Sequence, residues 1–314
     1  FSIILDARST SIKIQGKQPN HKQIGKNFSQ AMASLSSPLS IVIIFVLAFN
    51  AVDGFKEWSM PWGENHSAIT PFGVSLVLDN SSGTGVQSNK QYLFGSFEML
   101  IRLVPNNSAG TVTAYYVSST GEAHDEIDFE FLGNVSGQPY IIHTNIFANG
   151  VGRREQQFFP WFDPTSGLHN YTIHWNPFQV VWYIDSVPIR VYRKYAGIGF
   201  PERQGMRVFS SLWDADEWAT RGGKDKIDWS HSPFMARLRR FRARACLYGG
   251  RSSIQWCAAR RPGHWWTNPA YSRLSSAEVA KMNGVRSKYM IYDYCRDSRR
   301  AHGVPPPECL KPQY

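Results

Sequence analysis

Between residues 73 and 241, apolar and polar positions alternate in short runs that are broken by Gly, Pro, Asn and Asp. Residues 74–78, 95–103, 111–117, 138–147, 171–175, 180–184 and 206–212 are rich in Val, Ile, Phe, Tyr and Thr, which suit a pleated, half-buried surface. A period of two sends successive side chains to opposite faces, so each run predicts a strand with one buried side. No sustained 3.6-residue period interrupts them, and the frequent turn residues fit antiparallel neighbours. The expectation is an all-β chain folded as a two-sheet antiparallel β-sandwich whose concave face can hold an extended polymer. One helix is predicted at 275–283, where a serine precedes Ala-Glu-Val-Ala-Lys-Met.

The alternation changes character in residues 124–134, HDEIDFEFLGN, where the polar positions are acids. Glu126, Asp128 and Glu130 share one face of a strand, and Ile127, Phe129 and Phe131 point to the other. Like charges in one row repel, and no local cation compensates, so such crowding is expected where chemistry requires it. Glycoside hydrolysis needs two carboxyls, one ionised and attacking, the other protonated and donating to the leaving oxygen. Retaining enzymes hold these about 5–5.5 Å apart, whereas four residues of strand separate the α-carbons of Glu126 and Glu130 by about 13 Å, so the side chains must converge. An acidic exposed strand face and a metal site built from the same acids are the alternatives.

HDEIDFEFLGN resembles the signature of the plant xyloglucan endotransglucosylase/hydrolases of glycoside hydrolase family 16. The likeness continues through YLFG at 92–95, SAGTVTA at 108–114, WFDPT at 161–165, PIRV at 188–191 and WATRGG at 218–223, and covers roughly residues 55–310. It implies a jelly-roll, concanavalin-like sandwich with a disulfide-bonded C-terminal extension. Carried over residue by residue, it makes Glu126 the nucleophile, Glu130 the acid/base and Asp128 the assisting acid, with no metal and no cofactor. It lines the glucan cleft with Thr144, Asn145, Arg154, Glu155, Glu217, Trp218, Gly222 and Arg286. His143 stands where the family commonly has glutamine, and Arg153 where it commonly has aspartate, which reverses a charge at the cleft wall. Asn134 matches the family's glycosylated position; the sequons at Asn65, Asn80, Asn106 and Asn170 rest on the three-residue pattern alone.

Four cysteines, Cys246, Cys257, Cys295 and Cys309, lie in the last quarter of the chain. An even number suits two bridges in an oxidising compartment, three pairings are open, and zinc is the alternative, although no C-x-x-C pair is present. The resemblance favours Cys246 with Cys257 and Cys295 with Cys309. Residues 39–51, LSIVIIFVLAFNA, form an apolar run short for a bilayer and typical of a secretory signal, with a membrane anchor as the rival. Met32 would give an ordinary start, so residues 1–31 are expected to be upstream sequence. The resulting division is 1–51, a catalytic sandwich at 52–241, and an extension at 242–314. Export to the cell wall and apoplast follows.

The formal charge is +10, and residues 1–51 hold five Lys/Arg and one Asp, so the remainder keeps +6. Nucleic acid is not the expected partner of an exported chain. Arg237, Arg239, Arg240, Arg242 and Arg244 concentrate the charge, and two readings stand: a stripe that meets acidic wall polysaccharide, or an edge strand protected by charge. Eleven Trp, fourteen Tyr and nineteen Phe supply rings for a core and for stacking on pyranose faces. The segment 145–155 is short, which in the resembling family marks transferases over hydrolases. The expected reaction is therefore cleavage of the β-1,4-glucan backbone of xyloglucan and transfer of the covalent intermediate to another xyloglucan chain. Its rivals are an endohydrolase of xyloglucan or mixed-linkage β-glucan, and a non-catalytic polysaccharide-binding module on the same sandwich.

Overall fold

A computed structural model describes residues 52–300 and 303–314, with side chains from Gly54 onward. The expected signal at 39–51 and the expected upstream sequence at 1–31 lie outside the described residues.

The alternating runs become two antiparallel sheets packed face to face, the arrangement that buries one side of every strand. In spatial order the back sheet is Val187–Arg193 (β13), Gln179–Ile184 (β12), His169–Trp175 (β11), Tyr92–Arg102 (β6), Phe234–Leu247 (β15), Gly73–Leu78 (β4) and Ser67–Thr70 (β3), with Val52–Asp53 (β1) also paired to β15. The second sheet is Met290–Asp293 (β16), Gln156–Phe158 (β10), Ile141–Phe147 (β9), Glu126–Leu132 (β8), Thr111–Ser118 (β7), Arg207–Asp214 (β14), Thr84–Ser88 (β5) and Trp58–Trp62 (β2). Trp175, Trp182, Tyr115, Phe129 and Phe131 fill the space between the sheets and are fully buried. Each such side chain contributes about 2–3 kcal/mol by leaving water. No helix among the described residues is long and apolar enough to cross a membrane.

The run expected at 138–147 begins as a strand only at Ile141. Pro139 lacks the N–H a ladder needs, and the Tyr140 hydroxyl instead donates to the Val104 carbonyl at 2.8 Å. The arginine-rich strand β15 is not an edge: it lies between β6 and β4 and runs through the boundary expected at 241/242 as far as Leu247. The charge on it therefore has another cause than edge protection.

Two helices flank the sandwich. Ser253–Ala258 (α1), which the sequence pattern did not predict, is tied back to β15 by the Cys246–Cys257 bridge. Ser276–Tyr289 (α2) is longer than predicted; Ser275 closes a capping box with Glu278, whose carboxylate accepts the Ser275 N–H at 2.9 Å. Met282 of α2 packs on Val181 and Val191 of the back sheet. Cys295 is bonded to Cys309.

Candidate active site

Strand β8 lies at the middle of the second sheet, between β7 and β9. Its Phe129 and Phe131 rings lie nearly parallel, 5.9 Å apart, and both stand edge-on to Tyr171 of the back sheet. That packing fixes the rotation of the strand, so Glu126, Asp128 and Glu130 face out of the sandwich. The register sets Glu126 between Ser118 and Phe147, Asp128 between Tyr116 and Asn145, and Glu130 between Ala114 and His143. Glu126 and Glu130 are half-buried, and Asp128 is buried.

The floor on either side is aromatic. Tyr116 stacks on Phe209 of β14 with centroids 5.0 Å apart. Trp213 and Trp218 lie 6.2 Å apart, and Trp218 stands edge-on to His143 at 6.2 Å. At the far side Trp62 covers Gly85, where a Cβ would come within 2.3 Å of the indole nitrogen, so only glycine lets that ring lie flat on the sheet. Half-exposed rings around a row of acids form a groove suited to a sugar polymer.

Burial sets the protons. Glu130 is pushed up to about 7, first by desolvation and then by the charges of Glu126 and Glu155. Asp128 is held well above the usual carboxylate range by burial and by the flanking Glu126 and Glu130, with Arg190 opposing. Glu126 is also raised by burial, but the Ser118 hydroxyl, His124 and Asp128 all favour its ionised form. All three proton affinities are thus raised: Glu130 sits near its midpoint at neutral pH, Asp128 is raised most by burial and its two acidic neighbours, and Glu126 has the most help toward ionising. His143 is pushed down to about 4 by burial and is neutral. Its Nδ1 faces the Gln157 amide nitrogen at 3.3 Å and must accept there, which places the ring proton on Nε2, 3.8 Å from a Glu130 oxygen.

The row is held from behind. The Trp182 indole donates to the Asp128 carbonyl at 2.9 Å. Arg190 lies 4.6 Å over the Trp182 ring and donates to the Thr144 carbonyl at 2.8 Å, to its hydroxyl at 2.9 Å and to the Arg154 carbonyl. Burial lowers Arg190 to about 10, which leaves it charged at neutral pH. One buried cation therefore fixes the backbone of β9 and, through Trp182, that of β8.

The expected cleft residues divide by face. His143, on the acid side, is joined by Asn145, whose side-chain oxygen accepts the N–H groups of Ile146 and Arg154. Thr144 does not line the cleft: it pairs with Phe129, is fully buried, and its hydroxyl donates to the Gln156 carbonyl. Nor does Arg154, whose guanidinium is buried against Glu308 at 2.6 Å and the Val151 carbonyl. Arg286 is likewise turned inward, joining α2 to Gln156 at 2.9 Å and Asp293 at 3.1 Å. Arg153 is exposed at φ 64°, and Glu155, half-buried near Glu130, is bound by Arg300 at 2.6 Å. Glu217, Trp218 and Gly222 lie in the exposed turns after β14. Asn134 lies two residues past the end of β8, half-buried, with its amide donating to the Pro139 carbonyl at 2.9 Å.

Several groups at the site were not anticipated. Ser118 and Tyr116 occupy alternate positions of β7, and Phe209 lies four residues before Trp213 on β14, so the period-two pattern already placed each pair on one face; Trp213 itself stands out in the Trp-rich segment 211–218 as a sugar-binding or core ring. Arg300, which holds Glu155 and the Arg153 carbonyl, carried no sequence signal, because it reaches the cleft from the distant extension. Among the described residues, no group of three His, Cys, Asp or Glu side chains is placed to hold a metal ion.

The model of glycosyl hydrolases family 16 matches residues 54–231, and that of the xyloglucan endo-transglycosylase C-terminus matches residues 260–309. This chain is a xyloglucan endotransglucosylase/hydrolase family member within glycoside hydrolase family 16. It is 48% identical over 261 residues to a probable xyloglucan endotransglucosylase/hydrolase protein of Nicotiana tabacum, covering 82% of this chain and 88% of the relative. To xyloglucan endotransglucosylase protein 7 of Diospyros kaki it is 47% identical, covering 81% and 96%. A beta-glucanase of Bacillus licheniformis superposes with a TM-score of 0.51 at 22% identity, over 62% of this chain and 98% of that one, and shares the sandwich fold. The stretch between the two matched segments holds β15 and α1, which the Cys246–Cys257 bridge joins.

Proposed function

We propose that this family member cleaves the β-1,4-glucan backbone of xyloglucan with retention and passes the glycosyl group to another xyloglucan chain. The observation that carries the mechanism is the row of Glu126, Asp128 and Glu130 facing out of β8 into an aromatic groove, with burial raising Glu130 to about 7. Glu126 attacks the anomeric carbon; its glycosidic C–O bond breaks as Glu130 gives its proton to the departing oxygen, and a glycosyl ester on Glu126 results. Asp128, between them, assists the ionised nucleophile and orients it. Glu130, now ionised, takes the proton of the incoming hydroxyl as that oxygen displaces Glu126. Aromatic rings on both sides of the acids hold donor and acceptor chains, and an acceptor held in place competes with water through proximity. The short turn around Asn149 and Gly150 leaves the acceptor end open. Among the predicted cleft groups, His143, Asn145, Arg153, Glu155, Glu217, Trp218 and Gly222 are the ones set to meet sugar.

The protein acts after export, in the cell wall and apoplast, with Asn134 as a glycosylation site, and an acidic wall polysaccharide is its second partner. Incubating the protein with xyloglucan and labelled xyloglucan oligosaccharide tests the reaction. Label entering polymer without matching new reducing ends is the expected result. Reducing ends alone would assign a hydrolase, and binding with neither would assign a carbohydrate-binding module.

A further inference from the structure

We propose that the outer face of the back sheet is a second binding site, which takes an extended polyuronate chain through a row of arginines on β15. The inference deepens the wall-enzyme reading above by assigning the acidic partner a place and a chemistry.

A break in strand register builds the row. Strict alternation would send Arg237 and Arg239 to one face and Arg240, Arg242 and Arg244 to the other. The register with β6 slips between Arg239 and Arg242, and Arg240 adopts φ 47° at the slip. A β-bulge of this kind inserts one residue and exchanges the faces beyond it. As a result Leu238, Phe241 and Ala243 are all buried, and the arginines on both sides of the bulge face solvent. A non-glycine residue in the left-handed region costs free energy, and such strain collects at functional sites.

The row carries more charge than counter-charge: Asp53 of β1 stands opposite Arg242 on one side and Glu98 of β6 on the other. Opposite Arg237, Arg239, Arg242 and Arg244 stand Arg102, Leu100, Glu98 and Ser96 of β6, a span of roughly 20 Å at the rise of a strand. Glu98 is bound by Arg244 at 3.2 Å, and among the described side chains no other carboxylate pairs with the row. Beside it lies a depression of about 1090 Å³, walled by Phe72, which is 80% exposed, and Leu168, which is 44% exposed, with Arg239, Arg240 and Arg242 on its floor. Guanidinium groups bind carboxylates in pairs of parallel hydrogen bonds, and flat apolar walls suit pyranose faces. Repeated carboxylates on an extended chain would engage several arginines at once, which multiplies a weak single contact. Because the acid row of β8 faces out of the opposite sheet, the two polymers do not compete for space.

The test is affinity electrophoresis of the full-length protein through gels containing polygalacturonate, with the fully methyl-esterified polymer and phosphatidylserine vesicles as comparisons. Arg239→Gln with Arg242→Gln is expected to weaken polygalacturonate retention about tenfold, while Lys281→Gln with Lys288→Gln, an equal loss of charge on α2, changes it less than about twofold. If the first pair fails to fold, Arg237→Gln with Arg240→Gln makes the same comparison. Transfer to labelled xyloglucan oligosaccharide, measured in parallel, is expected to be unchanged by either pair. Equal losses in the arginine and lysine pairs, equal retention by the esterified polymer, or binding to vesicles alone would overturn the proposal. Absence of transfer together with arginine-dependent retention would overturn the catalytic reading and leave this one standing.

Discussion

The two outward faces of the sandwich both carry rows of like charge, and they handle it in opposite ways. On β8 the acids are partly or wholly buried, crowded by aromatic rings, and their proton affinities are raised. On β15 four of the five arginines are exposed to water, and only Arg244 has a carboxylate partner among the described side chains. A carboxyl becomes a catalyst when desolvation moves its proton affinity into the working range; a guanidinium is most useful to a polyanion when nothing nearby neutralises it. The difference lies in what surrounds each strand: Tyr116, Phe209 and Trp218 over the acids, open solvent over most of the arginines.

Removing charge from each row should therefore have unequal consequences. Glu126→Ala is expected to lower the transfer rate about 10⁴-fold or more, since the covalent step loses its nucleophile; a variant retaining full activity would end the assignment. Glu130→Gln is expected to cost about 10²–10⁴ in kcat with donors that need protonation, and to change the pH profile. In the parent, glycosylation needs protonated Glu130, so the rate should fall as pH rises through about 7; on the acid side it should fall as Glu126 takes up its proton. The Glu130→Gln variant should lose the alkaline limb. Stability carries the same sign. The raised value of Glu130 means the fold favours its protonated form, a contribution present below the unfolded-state pKa and lost as pH climbs toward 7. Glu130→Gln should therefore gain of order 2 kcal/mol over the parent near pH 8, read by urea denaturation at the two pH values.

Behind the acids, Arg190→Leu should destabilise the protein by about 2–4 kcal/mol, since the Thr144 and Arg154 carbonyls lose their buried donor. Trp218→Ala is expected to raise KM about three- to tenfold with kcat less affected, the signature of lost ring stacking. At the other extreme, Arg244→Gln breaks an exposed pair with Glu98 and should change stability by less than about 1 kcal/mol. A large loss there would mean that the back face is structural and would blur the contrast between the two rows.

Period-two patterning was enough to find the strands and to place three acids on one face, because each alternating residue feels the same buried or wet environment. It was also enough to exclude Thr144 from the cleft, since three consecutive residues of a strand, 143 to 145, cannot share a face; the family resemblance carried them across as a block. Arg154 and Arg286 failed for a different reason. Arg154 meets Glu308 154 residues away, which leaves no periodic trace, and Arg286 meets Asp293 across the end of α2, where helical spacing no longer applies. The slip at Arg240 was equally hidden, because no glycine marks the left-handed position. The aromatic floor assembled from β2, β7 and β14 was visible strand by strand but not as one surface.

The buried pair between Arg154 and Glu308 has a bearing on biosynthesis. Arg154 borders the loop beside the acids, and its counter-ion comes from a segment 154 residues downstream, held by the Cys295–Cys309 bridge. Until that segment is translated and oxidised, a guanidinium under the catalytic loop has no carboxylate to meet. A chain cut short before Glu308 would carry Glu126, Asp128 and Glu130 and still leave the Arg154 guanidinium buried without its counter-ion.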